Sequence, residues 1–199
     1  MTTLLTDLAR QSLAALRLLL VMTVLLGIGY PVAVWGAGQA FGERAAGQPV
    51  RLDGEVVGSR LLGQHFEGEK WFHGRPSPQA YDALASAPSN LGPSNPELLA
   101  AIEQRRAEVA QREGVPAAEV PADALTGSGS GLDPHISPAY ARLQVPRVAA
   151  ANGLGTDEVE RLVAAHTVGR ALGFLGEPGV DVLGLNLALV HATGGTGGD

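Results

Sequence analysis

One uncharged stretch near the start of the chain constrains the fold more than any other feature. It runs from Leu18 to Gly42, lies between two charged residues, and reads LLLVMTVLLGIGYPVAVWGAGQAFG. As a helix, residues 18–41 would be about 36 Å long, which is enough to cross a hydrocarbon core of about 30 Å with some tilt. We therefore predict one transmembrane helix over 18–41, preceded by a short segment, 1–17.

A cleaved signal peptide is the alternative interpretation of this stretch. Signal peptides have an apolar core of about 7–15 residues followed by small residues. The core here is longer, but the small residues 36–38 follow it, so the alternative stays open. Pro31 is tolerated in a spanning helix, and Tyr30 and Trp35 lie toward the far end, where aromatic rings favour the membrane interface.

The positive charges around the stretch favour one topology only slightly. Arg10 and Arg17 precede it, and Arg44 and Arg51 follow it. Long domains cross a membrane largely regardless of charge. We therefore expect a cytoplasmic N-terminus, a single pass through the membrane, and an extracytoplasmic soluble domain.

The remaining residues are sufficient for one acidic domain. The chain has 199 residues, a net charge of −6 and no cysteine. Residues 42–199 carry a net charge near −7, which argues against a nucleic-acid partner. Without cysteine the chain can form neither disulfides nor thiolate sites.

Local signals predict an α+β domain over 42–190 and a disordered tail over 191–199. The Asp53-Gly54 dipeptide predicts a hairpin within 50–62. The leucines alternate along 182–190, which predicts a strand. A short helical turn is expected within 115–125.

Three longer helices are predicted from capping residues. Asn95 and Pro96 begin the first helix, which Gly114 ends. Ser137 caps the second, and Pro146 is expected to bend or end it. Thr156 is expected to cap the third helix, which carries His166 on its buried face; we expect that ring to be a hydrogen-bonded core residue.

The sequence lacks the common catalytic motifs. Lys70 is the only lysine and follows Glu69, so there is no P-loop. Leu132 stands where a dinucleotide fingerprint needs its third glycine, and no serine forms a nucleophile elbow. The histidines show no metal-ligand spacing. We therefore predict no catalytic residue and no metal site.

The glycine-rich loop TGSGSGLDPHISP, residues 126–138, is the candidate site. Such a backbone before a helix can bind an anion, and Asp133 could offer oxygens to a cation. The third interpretation, which we favour, is that Asp133, His135 and Ser137 brace the loop through side-chain to backbone hydrogen bonds.

Several motifs together resemble one known family. The run GSGLDPHISP, followed closely by QVPRVA, resembles the signature of the C subunit of the Kdp-type potassium-transporting ATPase. FHGRPS at 72–77 and SNLGPSNPEL at 89–98 are similar to earlier blocks of that family, and VLGLNLAL is similar to its terminal strand. The resemblance covers nearly the whole chain from Leu18 to Leu189, with the motifs in the family's order.

The resemblance implies a non-catalytic subunit of an inner-membrane complex. Its partners would be a channel-like potassium-transporting subunit, a P-type ATPase subunit and a very small hydrophobic subunit. Two roles are implied. One is assembly or stabilisation of the complex; the other is a catalytic chaperone that raises the ATP affinity of the ATPase subunit. No cofactor is expected to bind tightly, and ATP would be met through the ATPase subunit.

The resemblance also names candidate residues. Gln144 matches the glutamine implicated in nucleotide contact, although an extracytoplasmic domain would not meet cytosolic ATP. The candidate loop or partner-contact residues are Gly129, Gly131, Asp133, His135, Ser137 and Arg147. A different class, a membrane-anchored extracytoplasmic binding module or enzyme unrelated to transport, remains the alternative.

Overall fold

The computed structural model describes residues 2–194 and the side chains from residue 3 onward. Its backbone contacts divide the chain into two units, one up to Gln48 and one from Pro49. The first unit holds the apolar helix, and the second is a mixed domain of helices and strands. This confirms the predicted class, an N-terminal apolar helix followed by an α+β domain.

The first unit is one nearly continuous helix. It consists of α1 (Thr2–Val24), a π-helical turn (Leu25–Gly29) and α2 (Tyr30–Gln39). Its most apolar window has a mean hydropathy of 2.2 and is unburied, so by length and composition the helix is able to cross a membrane. The helix begins well before the predicted start at residue 18 and ends just before the predicted end at 41.

The π-helical turn explains how the helix passes Pro31. A proline has no N–H to donate, and its ring collides with the carbonyl four residues earlier. Here the turn before it is widened, and the Tyr30 N–H donates to the Leu25 carbonyl, five residues back. The wider turn makes room for the ring, so the helix continues instead of ending.

Within residues 49–194 the second unit contains four helices, five short strands and three 3-10 turns. In chain order the helices and strands are β1 (Pro49–Leu52), β2 (Glu55–Ser59), α3 (Pro96–Glu113), β3 (His135–Ile136), α4 (Pro138–Asn152), α5 (Thr156–Ala165), β4 (Thr167–Val168), β5 (Gly179–Asp181) and α6 (Val182–Ala192). The 3-10 turns are Gly42–Arg44, in the first unit, and Ala83–Ala85, Ala117–Glu119 and Ala122–Ala124 in the second.

The strands form two separate antiparallel sheets. β1 and β2 pair as the predicted hairpin, with positive φ angles of 51° at Asp53 and 89° at Gly54, as a type I′ turn requires. In the second sheet β5 lies between β3 and β4. His135 lies opposite Asp181, and Thr167 opposite Val180.

Helices α3 to α6 and β5 enclose one hydrophobic core. Fully buried members come from distant parts of the chain, including Phe72, Tyr140, Val159, Val180 and Leu185. Burying side chains of this size contributes about 1.5–3 kcal/mol each relative to exposure. The core therefore links the irregular segment around Phe72 to three different helices.

Capping chemistry confirms two of the predicted helix starts. The Asn95 side chain accepts a hydrogen bond from the Glu97 N–H at 2.8 Å, and Gly114 ends α3 with a left-handed φ of 68°. Ser137 accepts one from the Tyr140 N–H at 3.0 Å, which caps α4. These caps satisfy N–H groups that have no partner inside the helix.

One predicted helix start was wrong, and one prediction about a proline is narrowed. Pro146 was predicted to bend or end α4; the helix does not end there but continues to Asn152, with Pro146 exposed and the opposite face buried. The third helix starts after Gly155, so Thr156 is its first residue and not its cap. It ends at Ala165, because the next residues join the sheet as β4.

The predicted terminal strand was also wrong, since residues 182–192 form α6. Asp181 caps it by accepting from the Gly184 N–H at 3.0 Å. The buried residues follow helical spacing and are Val182, Leu183, Leu185, Asn186, Leu189 and Val190. A short apolar run buried on most sides fits a strand and a helix equally by periodicity, and leucine, unlike valine or isoleucine, carries little penalty in a helix.

The predicted tail lies mostly outside the described residues. His191 and Ala192 belong to the last turn of α6 and do not belong to the tail. The disordered tail was predicted over 191–199, and its residues 195–199 lie outside the described residues.

Candidate functional site

The glycine-rich loop is held by a close approach at Gly131. This residue has a φ of +69°, and a Cβ there would lie 3.2 Å from the Ala87 carbonyl and 3.1 Å from the Gln79 side chain. Gly129 differs, since its φ is not positive and no atom lies within 4 Å of a Cβ built there. Of these two candidate glycines, only Gly131 is required by the backbone geometry.

Asp133 is engaged on both carboxylate oxygens within the loop. Oδ1 accepts from the His135 N–H at 3.0 Å, and Oδ2 pairs with Arg75 Nη1 at 3.2 Å. Arg75 Nη2 also donates to the carbonyls of Thr126 and Gly127. This arrangement supports the bracing interpretation over a cation site, because the oxygens already have donors.

Ser137 links the loop to the start of α4. Besides capping the helix, its hydroxyl donates to Asp123 Oδ1 at 2.9 Å and its N–H donates to Asp123 Oδ2 at 2.7 Å. The N-terminus of α4 is thus already next to a carboxylate of the chain itself, the charge that a helix N-terminus favours. His135 lies in β3, with its Nδ1 3.8 Å from Asp133 Oδ1.

Gln144 lies elsewhere, fully buried on the inner face of α4. Its Oε1 accepts from the His73 N–H at 2.8 Å, and its Nε2 donates to the His73 carbonyl at 3.2 Å. Arg147 Nη2 donates to the same Oε1 at 2.9 Å. Both ends of the Gln144 amide are therefore satisfied by the protein.

Asn186 of α6 makes a matching pair of hydrogen bonds to the backbone of Phe72, the residue before His73. Its Oδ1 accepts from the Phe72 N–H at 2.9 Å, and its Nδ2 donates to the Phe72 carbonyl at 3.0 Å. We call Gln144 and Asn186 the amide clamp. Their side chains supply the hydrogen bonds that an extended backbone would otherwise make with a neighbouring strand. Sequence reasoning missed Asn186; the signal was one amide inside the apolar run VLGLNLALV.

We call residues 69–73 the strap. Two further residues of α4 bond to its backbone. Arg147 donates to the carbonyls of Glu69 and Trp71, the latter at 3.0 Å. Asn152 donates to the Lys70 carbonyl at 2.8 Å. Consecutive backbone groups of the strap are thus fixed by side chains, although the strap has no regular secondary structure.

A buried carboxylate lies beside the strap between two arginines. Glu113 has a fully buried side chain and contacts Arg112 Nε at 3.0 Å and Arg147 Nε at 2.9 Å. Burial first, and then the charges of Arg112 and Arg147, lower the pKa of His73 to about 4. His73 is therefore neutral near pH 7, and burial also raises the pKa of Tyr140.

The predicted site residues form two groups. Gly131, Asp133, His135 and Ser137 come together in the braced loop, whereas Gln144 and Arg147 belong to the strap contacts. Arg75, which the FHGRPS motif contains, bridges the loop and was missed as a site residue. Within residues 3–194, no group of three or more histidine, aspartate or glutamate side chains is placed to hold a metal ion.

Comparison with known proteins identifies close relatives over most of the chain. A family model described as KdpC, the K⁺-transporting ATPase c chain, matches residues 12–191. The potassium-transporting ATPase KdpC subunit of Kineococcus radiotolerans is 58% identical over 190 residues, covering 94% of this chain and 97% of the relative. The subunits of Mycobacterium tuberculosis H37Rv (54% over 184 residues, 90% and 97%) and Streptomyces coelicolor (46% over 217 residues, 96% and 96%) are also similar.

Proposed function

Because this chain belongs to the KdpC family of K⁺-transporting ATPase c chains, we propose that it is a non-catalytic accessory subunit that assembles and stabilises a potassium uptake complex. The proposed partners are a channel-like potassium-transporting subunit, a P-type ATPase subunit and a small hydrophobic subunit. One apolar helix joined to one braced domain supports this role. Family membership argues against a module unrelated to transport.

The contacts of Gln144 are the observation that distinguishes the two roles, assembly of the complex and a catalytic chaperone. A chaperone that raises ATP affinity through Gln144 needs that amide to face a nucleotide. Gln144 is fully buried, and its oxygen and nitrogen are engaged by His73 and Arg147. A nucleotide would have to displace the strap, leaving buried polar groups unpaired at about 1–3 kcal/mol each. This supports assembly and stabilisation over nucleotide contact.

A nucleotide titration of the full chain in detergent separates the two roles. If the role is assembly, the full chain should show no saturable ATP binding that depends on Gln144. Complexes that form with the Gln144→Ala variant should then have the same KM for ATP as the wild-type complex. The proposal fails if wild-type protein binds ATP while a folded Gln144→Ala variant does not. That result would favour the nucleotide contact that the chaperone role requires.

A variant in the apolar helix tests assembly directly. Arg at Leu25, near the bilayer centre, should cost about 2.5–3.5 kcal/mol on insertion scales. Leu25→Arg should therefore lower the yield of purified complex, whereas Leu25→Ala should change it little. Normal yield and potassium uptake with Leu25→Arg would contradict a role that depends on membrane anchoring.

We also propose that the second unit lies outside the cytoplasm. The chain has no cysteine, so single introduced cysteines can report the topology. Leu84 is 99% exposed in the second unit, and Leu4 is 68% exposed in the first. In intact cells an impermeant maleimide should label Leu84→Cys and not Leu4→Cys; the reverse pattern would contradict the proposal.

A further inference from the structure

One surface of the second unit exposes several large apolar side chains close together in the chain. They lie on β4 and the loop that follows it, which we call the apolar loop, residues 168–175. Leu172 is 83% exposed and Phe174 68%, and Val168 and Leu175 are each at least half exposed. Single exposed apolar residues are ordinary, but a group of them marks a contact with another protein or with a membrane.

The end of the apolar loop is a closed turn. The backbones of Ala171 and Leu175 exchange two hydrogen bonds of 2.9 Å, and residues 172–174 form the turn between them. Leu172 has a φ of +53°, which bulky residues rarely adopt. The turn therefore keeps Leu172 and Phe174 in the solvent, although a cheaper turn would place glycine at the positive φ.

The apolar loop carries no free charge of its own. Arg170 is its one charged residue, and its Nη2 pairs with Glu177 Oε2 at 2.8 Å. An ion pair at the base of the loop leaves the turn itself uncharged. Its binding partner is therefore an apolar layer and not an ion.

The apolar loop starts in the wall of a pocket of about 440 Å³ within the second unit. Val168 lines this pocket together with Val50 of β1 and Leu187 of α6. Arg51 of β1 and Arg60, just after β2, line it as well. Apolar and positively charged groups thus lie side by side on this surface.

The two arginines of the pocket are available to an external anion. Within the described part of the chain, no carboxylate lies at ion-pair distance from either of them. Arg51 uses one Nη1 donor for the Gly54 carbonyl, at 3.2 Å. Each guanidinium carries five N–H donors, so most of them remain for a ligand.

The charge of the pocket is opposite to that of the domain. Asp181 is the acidic residue of its wall, and Oδ1 of that carboxylate already accepts from the Gly184 N–H at 3.0 Å. Even with both histidines of the wall neutral, two arginines and one carboxylate leave a positive charge. Residues 42–199 together carry a net charge near −7, so anions are attracted here and repelled elsewhere.

A bilayer with anionic lipids fits both parts of this surface. Arginines near a membrane attract anionic headgroups, and bulky apolar side chains enter the boundary between headgroups and acyl chains. The apolar helix is able to cross a membrane, and only residues 40–48 separate it from β1. Such a tether gives even a weak contact a high effective concentration of lipid.

We propose that this surface binds an anionic bilayer, with Arg51 and Arg60 on lipid phosphates and Leu172 and Phe174 inserted between headgroups. The contact restricts how the second unit can turn about its tether. It goes beyond the proposed assembly role and does not depend on it.

The test is an environment-sensitive label on the full chain in lipid nanodiscs. Because the chain has no cysteine, Leu172→Cys can carry a single NBD group that reports on the apolar loop. Leu84→Cys, at a position that is 99% exposed outside this surface, is the matched control. The nanodiscs contain either phosphatidylcholine alone or a mixture with phosphatidylglycerol, and iodide in the water quenches any label that stays exposed.

In the anionic nanodiscs, NBD at position 172 should emit further to the blue and resist iodide, whereas NBD at position 84 should stay accessible in both lipids. The double variant Arg51→Gln/Arg60→Gln should lower the ratio of protected to accessible label about tenfold or more. The charge-matched control is Arg142→Gln/Arg161→Gln, at exposed positions of α4 and α5, and should leave the ratio unchanged.

Three results would overturn the proposal. The first is equal quenching at position 172 in the two lipid compositions. The second is an equal effect of the two double variants. The third is protection that appears only when other subunits of the complex are added and that ignores lipid charge, which would assign the apolar loop to a protein partner.

Discussion

Truncating Gln144 tests whether the amide clamp stabilises the second unit. Gln144→Ala removes the bonds at 2.8 Å and 3.2 Å to His73 and the one at 2.9 Å from Arg147. A buried N–H left without an acceptor costs about 1–3 kcal/mol, and the cavity adds about 1 kcal/mol. The expected loss is about 2–4 kcal/mol, a large part of the roughly 5–15 kcal/mol that stabilises a typical domain.

Thermal unfolding of the full chain in detergent measures this loss. Trp71 lies in the strap next to Phe72, and Trp35 is the other tryptophan, so a Trp35→Phe background makes fluorescence report on the second unit. For a unit of this size each kcal/mol lowers Tm by about 2–4 °C. Gln144→Ala should therefore lower Tm on the order of 10 °C.

Two control variants make the result specific. Asn186→Ala removes the matching pair of bonds to Phe72 and should lower Tm by a similar amount. Arg142→Ala, on an exposed position of the same helix, should change stability by less than about 0.5 kcal/mol. If Gln144→Ala unfolds at the same temperature as Arg142→Ala, the clamp is not a source of stability and the reasoning is wrong.

Three further changes test other parts of the second unit. Gly131→Val should destabilise by about 1–3 kcal/mol in urea unfolding because of its positive φ, while Gly129→Ala should be nearly neutral; equal effects would contradict this. The pKa of His73 falls from 6.5 to about 4 on folding, so its stabilising contribution is complete above pH 6.5 and is lost as the pH falls toward 4. That shift corresponds to a change of at most about 3 kcal/mol in the free energy of unfolding, which partial exposure reduces to about 1–2 kcal/mol. A His73→Asn variant should lose this part of the pH dependence of the urea midpoint. Pro146→Ala should raise stability by about 1–2 kcal/mol, because the Arg142 carbonyl gains a helical donor, and a lower urea midpoint would refute this.

Local chemistry predicted the parts of the fold that depend on neighbouring residues. The caps at Asn95 and Ser137 and the turn at Asp53-Gly54 need only a few adjacent residues, and the structure contains all three. The run at 182–190 was misassigned because its leucines alternate while the residues between them are also mostly apolar. Periodicity alone does not distinguish a strand from a helix in such a run.

The strap contacts were beyond the reach of sequence reasoning. Gln144 and Asn186 bond backbone groups of His73 and Phe72, 71 and 114 residues away in the chain. No local pattern encodes which backbone a buried amide will face. Braced-loop contacts were easier, because Asp133 and Ser137 accept hydrogen bonds from backbone N–H groups only two and three residues further along the chain.

The π-helical turn at Leu25–Gly29 affects how the apolar helix can meet other helices. One extra residue in a helix rotates every later side chain by about 100° about its axis. A side-chain stripe along α1 is therefore not continued in the same direction along α2. A straight neighbouring helix that packs against one face of α1 no longer contacts the same face beyond Gly29. On α2 that face points in another direction, where it can contact a second helix. A single span would in this way bind two helices that do not run alongside each other.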